Sequence, residues 1–254
     1  MYRLIRNLYI ARLINMNNVS ELFYDIYSWS RKVKLFRLAE AALFALSNVD
    51  ENRAVECAKE NIAPPTISKI LTIASLRLLR HLNWRKFEQE LLNLYRETSD
   101  KYILLNLIEA TSSYIDIVPK SILGAVVRKF SEETDREILT RIFCLIKGNI
   151  SEDLLGVLMK ETYENSDEHK RKLILEIVKE GILEGTLRGR EDIIEFLYRI
   201  IRNEDKSIKG YAAGLLYATG DDYALEVIRD IISKGDVESH IALIESLTLS
   251  LIHI

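Results

Sequence analysis

The chain is short of the residues that turn a backbone: its 254 residues hold 10 glycines and 3 prolines. β-Sandwiches and barrels need turn residues at roughly every tenth position, so this scarcity argues for helices joined by short loops. Cysteine is nearly missing as well. Cys57 and Cys144 lie far apart without CxxC spacing, which leaves neither a redox motif nor a cysteine-built zinc site. Each falls on an apolar helical pattern, where a small buried thiol is expected, and a reducing, cytoplasmic setting is the default. Gln89 is the only glutamine beside abundant Ile, Leu, Glu, Lys and Arg, a bias that suits a heat-adapted source. Apolar runs never reach the roughly 18 residues that a membrane span needs, so no membrane partner is expected.

Motifs of catalysis are missing too. Gly181, Gly185 and Gly189 form the only glycine-rich connection and lack both GxxxxGK[ST] and GxGxxG spacing. They read as a linker and a possible hinge over 181–189. His81, His169, His240 and His253 are scattered, with no HExxH and no nearby cysteine. No serine sits in a GxSxG elbow. The pairs Glu132-Glu133 and Asp221-Asp222 fall at helix ends, where they complement the helix dipole. No catalytic residue, metal or cofactor is expected.

What the chain does have is 48% apolar and 29% charged residues, ordinary for a folded globular protein. The net charge of −3 hides an asymmetry: residues 1–130 carry 19 Lys+Arg against 13 Asp+Glu, and residues 131–254 carry 16 against 25. A basic front is joined to an acidic back. The first stretch has Arg3, Arg6 and Arg12 and no acid before Glu21. It is amphipathic like a targeting peptide, but its apolar run is too broken for a secretory signal, and it reads as a first helix.

Caps and apolar periodicity set the helices. A first helix covers 1–16, and the capping-box spacing Asn18-Val-Ser-Glu21 opens a second to Trp29. Ser30 opens a third, with Leu35, Leu38, Ala42 and Leu46 on one face. Asp50 caps the next, which Pro64-Pro65 stops. Helices follow over 66–82, from an Asn83 cap to Glu97, from Ser99 to Ile115, and from Pro119 to Glu132. Thr134-Asp-Arg-Glu137 is the clearest capping box, and Gly148 is the expected left-handed end. Ser151, Ser166, Arg190, Asp205, Asp221 and Asp236 open the rest, with Gly181 closing the helix from 167.

Every second helix starts near 1, 31, 66, 100, 134, 167, 205 and 236. A beat of about 34 residues sustained over the chain is the mark of stacked helical pairs, because one pair cannot bury both its apolar faces alone. The tetratricopeptide pattern of Trp, Leu-Gly and Tyr is not met. Tyr211-Ala212-Ala213-Gly214-Leu215-Leu216 followed by Gly220-Asp221-Asp222-Tyr223-Ala224-Leu225 resembles the HEAT-like repeat, with paired small residues in one helix and Gly-Asp entering the next. The match covers about 25 residues. It implies an all-α, right-handed superhelix (an α-solenoid) of about seven helical pairs forming one continuous domain, 1–254, whose second helices line a concave face. No other unit repeats the Ala-Ala pair with Gly-Asp, and the proline frequent in HEAT first helices is missing.

Two stretches carry candidate function. Arg77, Arg80, His81, Trp84, Arg85 and Lys86 gather at one inter-helix corner with Lys69 a few turns back, a mixture that suits nucleic acid or an acidic partner. A second basic run, Arg31-Lys32-Val-Lys34 with Arg37, lies nearby. The last helix is apolar on nearly all sides, and Ile244, Leu247, Leu251 and Ile254 are candidate contacts for a partner or a second copy. The expected function is a non-catalytic scaffold or adaptor for a protein partner, the acidic half suiting a basic one. The alternative is a nucleic-acid-binding protein resembling HEAT-like alkylpurine DNA glycosylases.

Overall fold

The computed structural model describes residues 16–82, 84–113, 118–187, 189–204 and 206–251. Among them are fourteen α-helices and no strand. In chain order these are α1 (Met16–Lys32), α2 (Phe36–Ser47), α3 (Glu51–Ile62), α4 (Lys69–Leu79), α5 (Glu88–Glu97), α6 (Lys101–Ser112) and α7 (Lys120–Glu132). Then come α8 (Arg136–Lys147), α9 (Glu152–Val157), α10 (Glu168–Leu183), α11 (Glu191–Asn203), α12 (Lys206–Thr219), α13 (Ala224–Lys234) and α14 (Val237–Leu251). A 3₁₀ turn, Trp84–Phe87, leads into α5, and a π-helical turn, Leu158–Thr162, extends α9. The expected helix over 1–15, the Asn83 cap and Ile254 lie outside the described residues.

Two compact units divide the chain. The first holds 1–129 and 134–145, the second 130–133 and 146–254. The segment 181–189 lies inside the second unit.

Within each unit a helix packs on its chain neighbour and on the helix two further along: α2 on α4 and α4 on α6 in the first, α10 on α12 and α12 on α14 in the second. Side chains repeat that pattern. Arg31 pairs with Glu60, Lys69 with Asp100, Lys101 with Asp135, Lys147 with Glu180 and Arg171 with Glu204. Tyr27 donates to Asn61, Lys129 to the Thr98 carbonyl, and Arg199 to the Met159 carbonyl. These partners stand 29 to 40 positions apart, one helical pair along the chain. The 34-residue beat of the sequence is therefore also the spacing of its polar clasps.

Several boundaries differ from expectation, each for a visible reason. A helix is already running at Met16, so Asn18–Glu21 is not a cap, and Ser20 donates instead to Asp50 at 2.7 Å. Ser30 does not start a helix. It is fully buried inside α1, and the break comes at Val33–Leu35, where Lys34 takes a φ of 63°. On α2 the buried face is Ala39, Leu43 and Leu46, while Leu35 and Leu38 are exposed. Asp100, not Ser99, caps α6 through the amides of Tyr102 and Ile103. Asp135, next to the expected cap Thr134, accepts from the amides of Glu137 and Ile138 at the start of α8. Asp167, one residue past Ser166, caps α10. A carboxylate accepts from two amides at once and suits the dipole, so it outcompetes a neighbouring hydroxyl. Gly181 lies within α10, and Gly185, Gly189 and Gly220 have left-handed backbone. Cys57 is buried as expected, but Cys144 is exposed, because α8 buries Ile138, Leu139, Ile142, Leu145 and Ile146 and leaves it off that face.

Candidate binding grooves

The layer of α2, α4 and α6 carries a groove of about 370 Å³ in the first unit. Lys69, Ile73 and Arg77 follow at i, i+4 and i+8 of α4, so the helical period sets them in one row with Ile70 beside it. Arg37 and Glu40 enter from α2, Tyr102 and Asn106 from α6. The Lys69 ammonium bonds Asp100 at 2.7 Å and lies 4.3 Å from the centre of the Tyr102 ring. Partial desolvation pushes the Asp100 carboxyl up, but the Lys69 bond and the amides of Ile103 and Tyr102 outweigh it, so Asp100 titrates below the usual carboxylate range. Arg77 donates to Asn106 at 3.2 Å, and Arg37 pairs with Glu40 at 2.9 Å.

Of the expected corner, the groove gathers Lys69 and Arg77. Arg80 turns to Glu109 of the next pair, while His81 and Lys86 are exposed and are not among the groove-lining residues. The side chains of Trp84 and Arg85 lie outside what is described.

The same layer in the second unit, α10, α12 and α14, carries a larger groove of about 720 Å³. Its walls hold four acids, Glu168, Glu204, Glu238 and Glu245, against two cations, Arg171 and Lys172, and its apolar floor is Ile208, Ile241 and Ala242. Both cations are engaged: Lys172 with Glu168 at 2.8 Å, Arg171 with Glu204 at 2.6 Å. Glu238 and Glu245 add two further acids from α14.

What builds this groove is the approach of α12 to α14. Gly210 and Gly214 stand four residues apart, and a methyl on the first would strike the Ser239 carbonyl, on the second the Ser246 hydroxyl. Only glycine lets the two backbones come so near. Beneath them Glu176 accepts from both Tyr211 and Lys179. Burial first, then this bond, drives the Tyr211 phenol well above its usual range.

α14 buries Ser239, Ala242, Leu243 and Ser246 against α12. Opposite them, Val237, Ile241 and Ile244 form a bare stripe at i, i+4 and i+7, exposed by 71%, 52% and 62%. Leu247 is half-buried, and the Leu251 side chain is not described. Of the expected partner contacts whose side chains are described, Ile244 is openly presented and Leu247 is not. Ile241 belonged to the apolar pattern read from the sequence, whereas Val237 did not.

Among the described residues no group of three His, Cys, Asp or Glu side chains is placed to hold a metal, and no helix is long and apolar enough to cross a membrane. The arrangement sets charged side chains beside exposed apolar ones. No family model matches the chain, and no curated protein or solved structure matches it significantly.

Proposed function

We propose that the protein is a non-catalytic scaffold of HEAT-like helical pairs, stacked as one solenoid, that holds a basic macromolecular partner in the groove of α10, α12 and α14. The observation that carries this reading is the groove itself: about 720 Å³, open, acidic on its walls and apolar on its floor. A basic segment with an apolar side meets both demands, since charge steers the encounter and the isoleucines supply contact area.

The test is affinity capture from native lysate with the wild type and with the double variant Glu238→Lys/Glu245→Lys. A basic protein retained by the first and lost from the second supports the proposal; equal capture by both overturns it. Salt-dependent binding of duplex DNA, lost on Arg77→Glu, would move the assignment to the nucleic-acid reading.

A further inference from the structure

The two grooves occupy the same layer of their units and carry opposite charge. Three cations and one acid line the first, around Ile70, Ile73 and Tyr102, which is 61% exposed. Four acids and two cations line the second, beside the bare stripe of α14. From this complementarity we infer that the occupant of the acidic groove is a second copy of this chain, presenting the basic face of its first unit. This rests on the reading of the acidic groove as a binding surface and names its partner.

The physical case has three parts. First, α14 exposes an apolar stripe opposite the face it packs on α12. Contact with an apolar surface removes that stripe from water. Second, the flanking Glu238 and Glu245 disfavour a symmetric contact of α14 with its own copy, because like charges would meet across it. Third, the face that offers both apolar area and positive charge is on the chain itself, with Arg37 and Arg77 at the rim of its groove. Joining unlike faces makes the association head-to-tail, so it extends from copy to copy or closes into a ring, depending on the rotation between copies.

Sedimentation velocity of the full chain, run over a range of protein and salt concentrations, tests this. The wild type is expected to associate at about 50 mM salt and to dissociate toward about 0.5 M, where the Debye length has fallen several-fold. Glu238→Lys/Glu245→Lys and Arg37→Glu/Arg77→Glu should each weaken self-association by about tenfold or more. An equimolar mixture of the two variants should associate again, because each supplies the face that the other has lost. A folding defect cannot produce that rescue. A wild type that stays monomeric, an association indifferent to both reversals, or a mixture that fails to associate although each variant keeps the wild-type helical signal would overturn the inference. If the wild type is monomeric while the Glu238/Glu245 reversal still loses a captured basic protein, the groove reading stands and the second copy as occupant falls.

Discussion

Both units stack every second helix and clasp helices with ion pairs, yet the more buried links between those helices differ. In the first, Tyr27 donates to Asn61 at 2.9 Å, Asn61 donates to Ser75 at 3.1 Å, and Thr72 donates to the Asn61 carbonyl at 2.8 Å. That buried network is neutral, and it ties α1, α3 and α4 around Phe23, Leu43, Leu46 and Leu71. In the second unit Tyr211 of α12 donates to Glu176 of α10, which also pairs with Lys179 of its own helix, and α12 meets the α14 backbone at Gly210. A neutral network tolerates changes of pH and leaves room for side chains between helices. An ionic clasp beside a glycine contact tolerates neither.

The chain carries its own probe for separating the two. Its tryptophans, Trp29 and Trp84, both lie in the first unit, so indole fluorescence follows that unit while far-ultraviolet circular dichroism follows both. The largest expected effect is Gly210→Ala. Its methyl would meet backbone that cannot swing aside, and overpacking of this kind costs about 3 kcal/mol. The dichroism transition in denaturant should move down while the fluorescence midpoint holds. Its counterpart in the first unit, Gly124→Ala on α7, has nothing within 4 Å and should instead gain about 0.5–1 kcal/mol from helix propensity. Equal losses at both glycines would dissolve the contrast.

Titration comes next. Tyr163, Tyr198 and Tyr211 of the second unit all titrate above the usual phenol value, Tyr198 pushed up to about 12 by desolvation and then by its bond to Asp221. Groups raised on folding stabilise fully below their unfolded value, near pH 10, and that contribution is lost as pH rises through the folded values. In the first unit Tyr27 is pushed up, to about 12, mainly by burial. Alkaline unfolding should therefore appear in dichroism before fluorescence. At the acid end Asp50, held down by the Ser20 bond, and Asp100 and Asp135 of the first unit titrate below the usual range, as do Asp192 and Asp230 of the second. Their contribution is intact above about pH 4 and is lost as pH falls through the folded values, so both transitions should respond there. Coincident transitions at the alkaline end would show the units to unfold as one.

The smallest effect is Asp100→Ala. It removes the α6 cap and the Lys69 clasp together, for about 1–2 kcal/mol in the first unit. The fluorescence midpoint in denaturant checks it, and an unchanged midpoint would mean that the clasp is ornamental.

The helices were legible in the sequence because their signals are local: apolar period, scarce glycine, an acid or hydroxyl at each start. Gly220 was legible as part of the turn between α12 and α13, and its backbone there is left-handed. Choosing among neighbouring caps was harder, since Asp135 and Thr134 are both good caps and only the amide geometry decides. The candidate site was half legible. Lys69 and Arg77 stood out as charges, but their grouping with Arg37 and Tyr102 comes from recurrence at one register of successive helices, about 32 residues apart, which a search within single stretches passes over. Gly214 stood in the repeat motif and Gly210 just before it, but the paired small residues read there were Ala212 and Ala213; the use of the glycines in helix contact needed the partner helix to be in place.

One consequence of the clasps concerns time, not strength. None of those named reaches further than the 40 positions between Arg199 and Met159. Chains whose contacts are near in sequence fold fast, because little loop entropy is spent before the contacts form. A nascent chain leaving the ribosome would find each partner only one helical pair behind it. Within each unit the pairs can then lock in order of synthesis, and a stalled chain would hold finished pairs in place of a collapsed remnant.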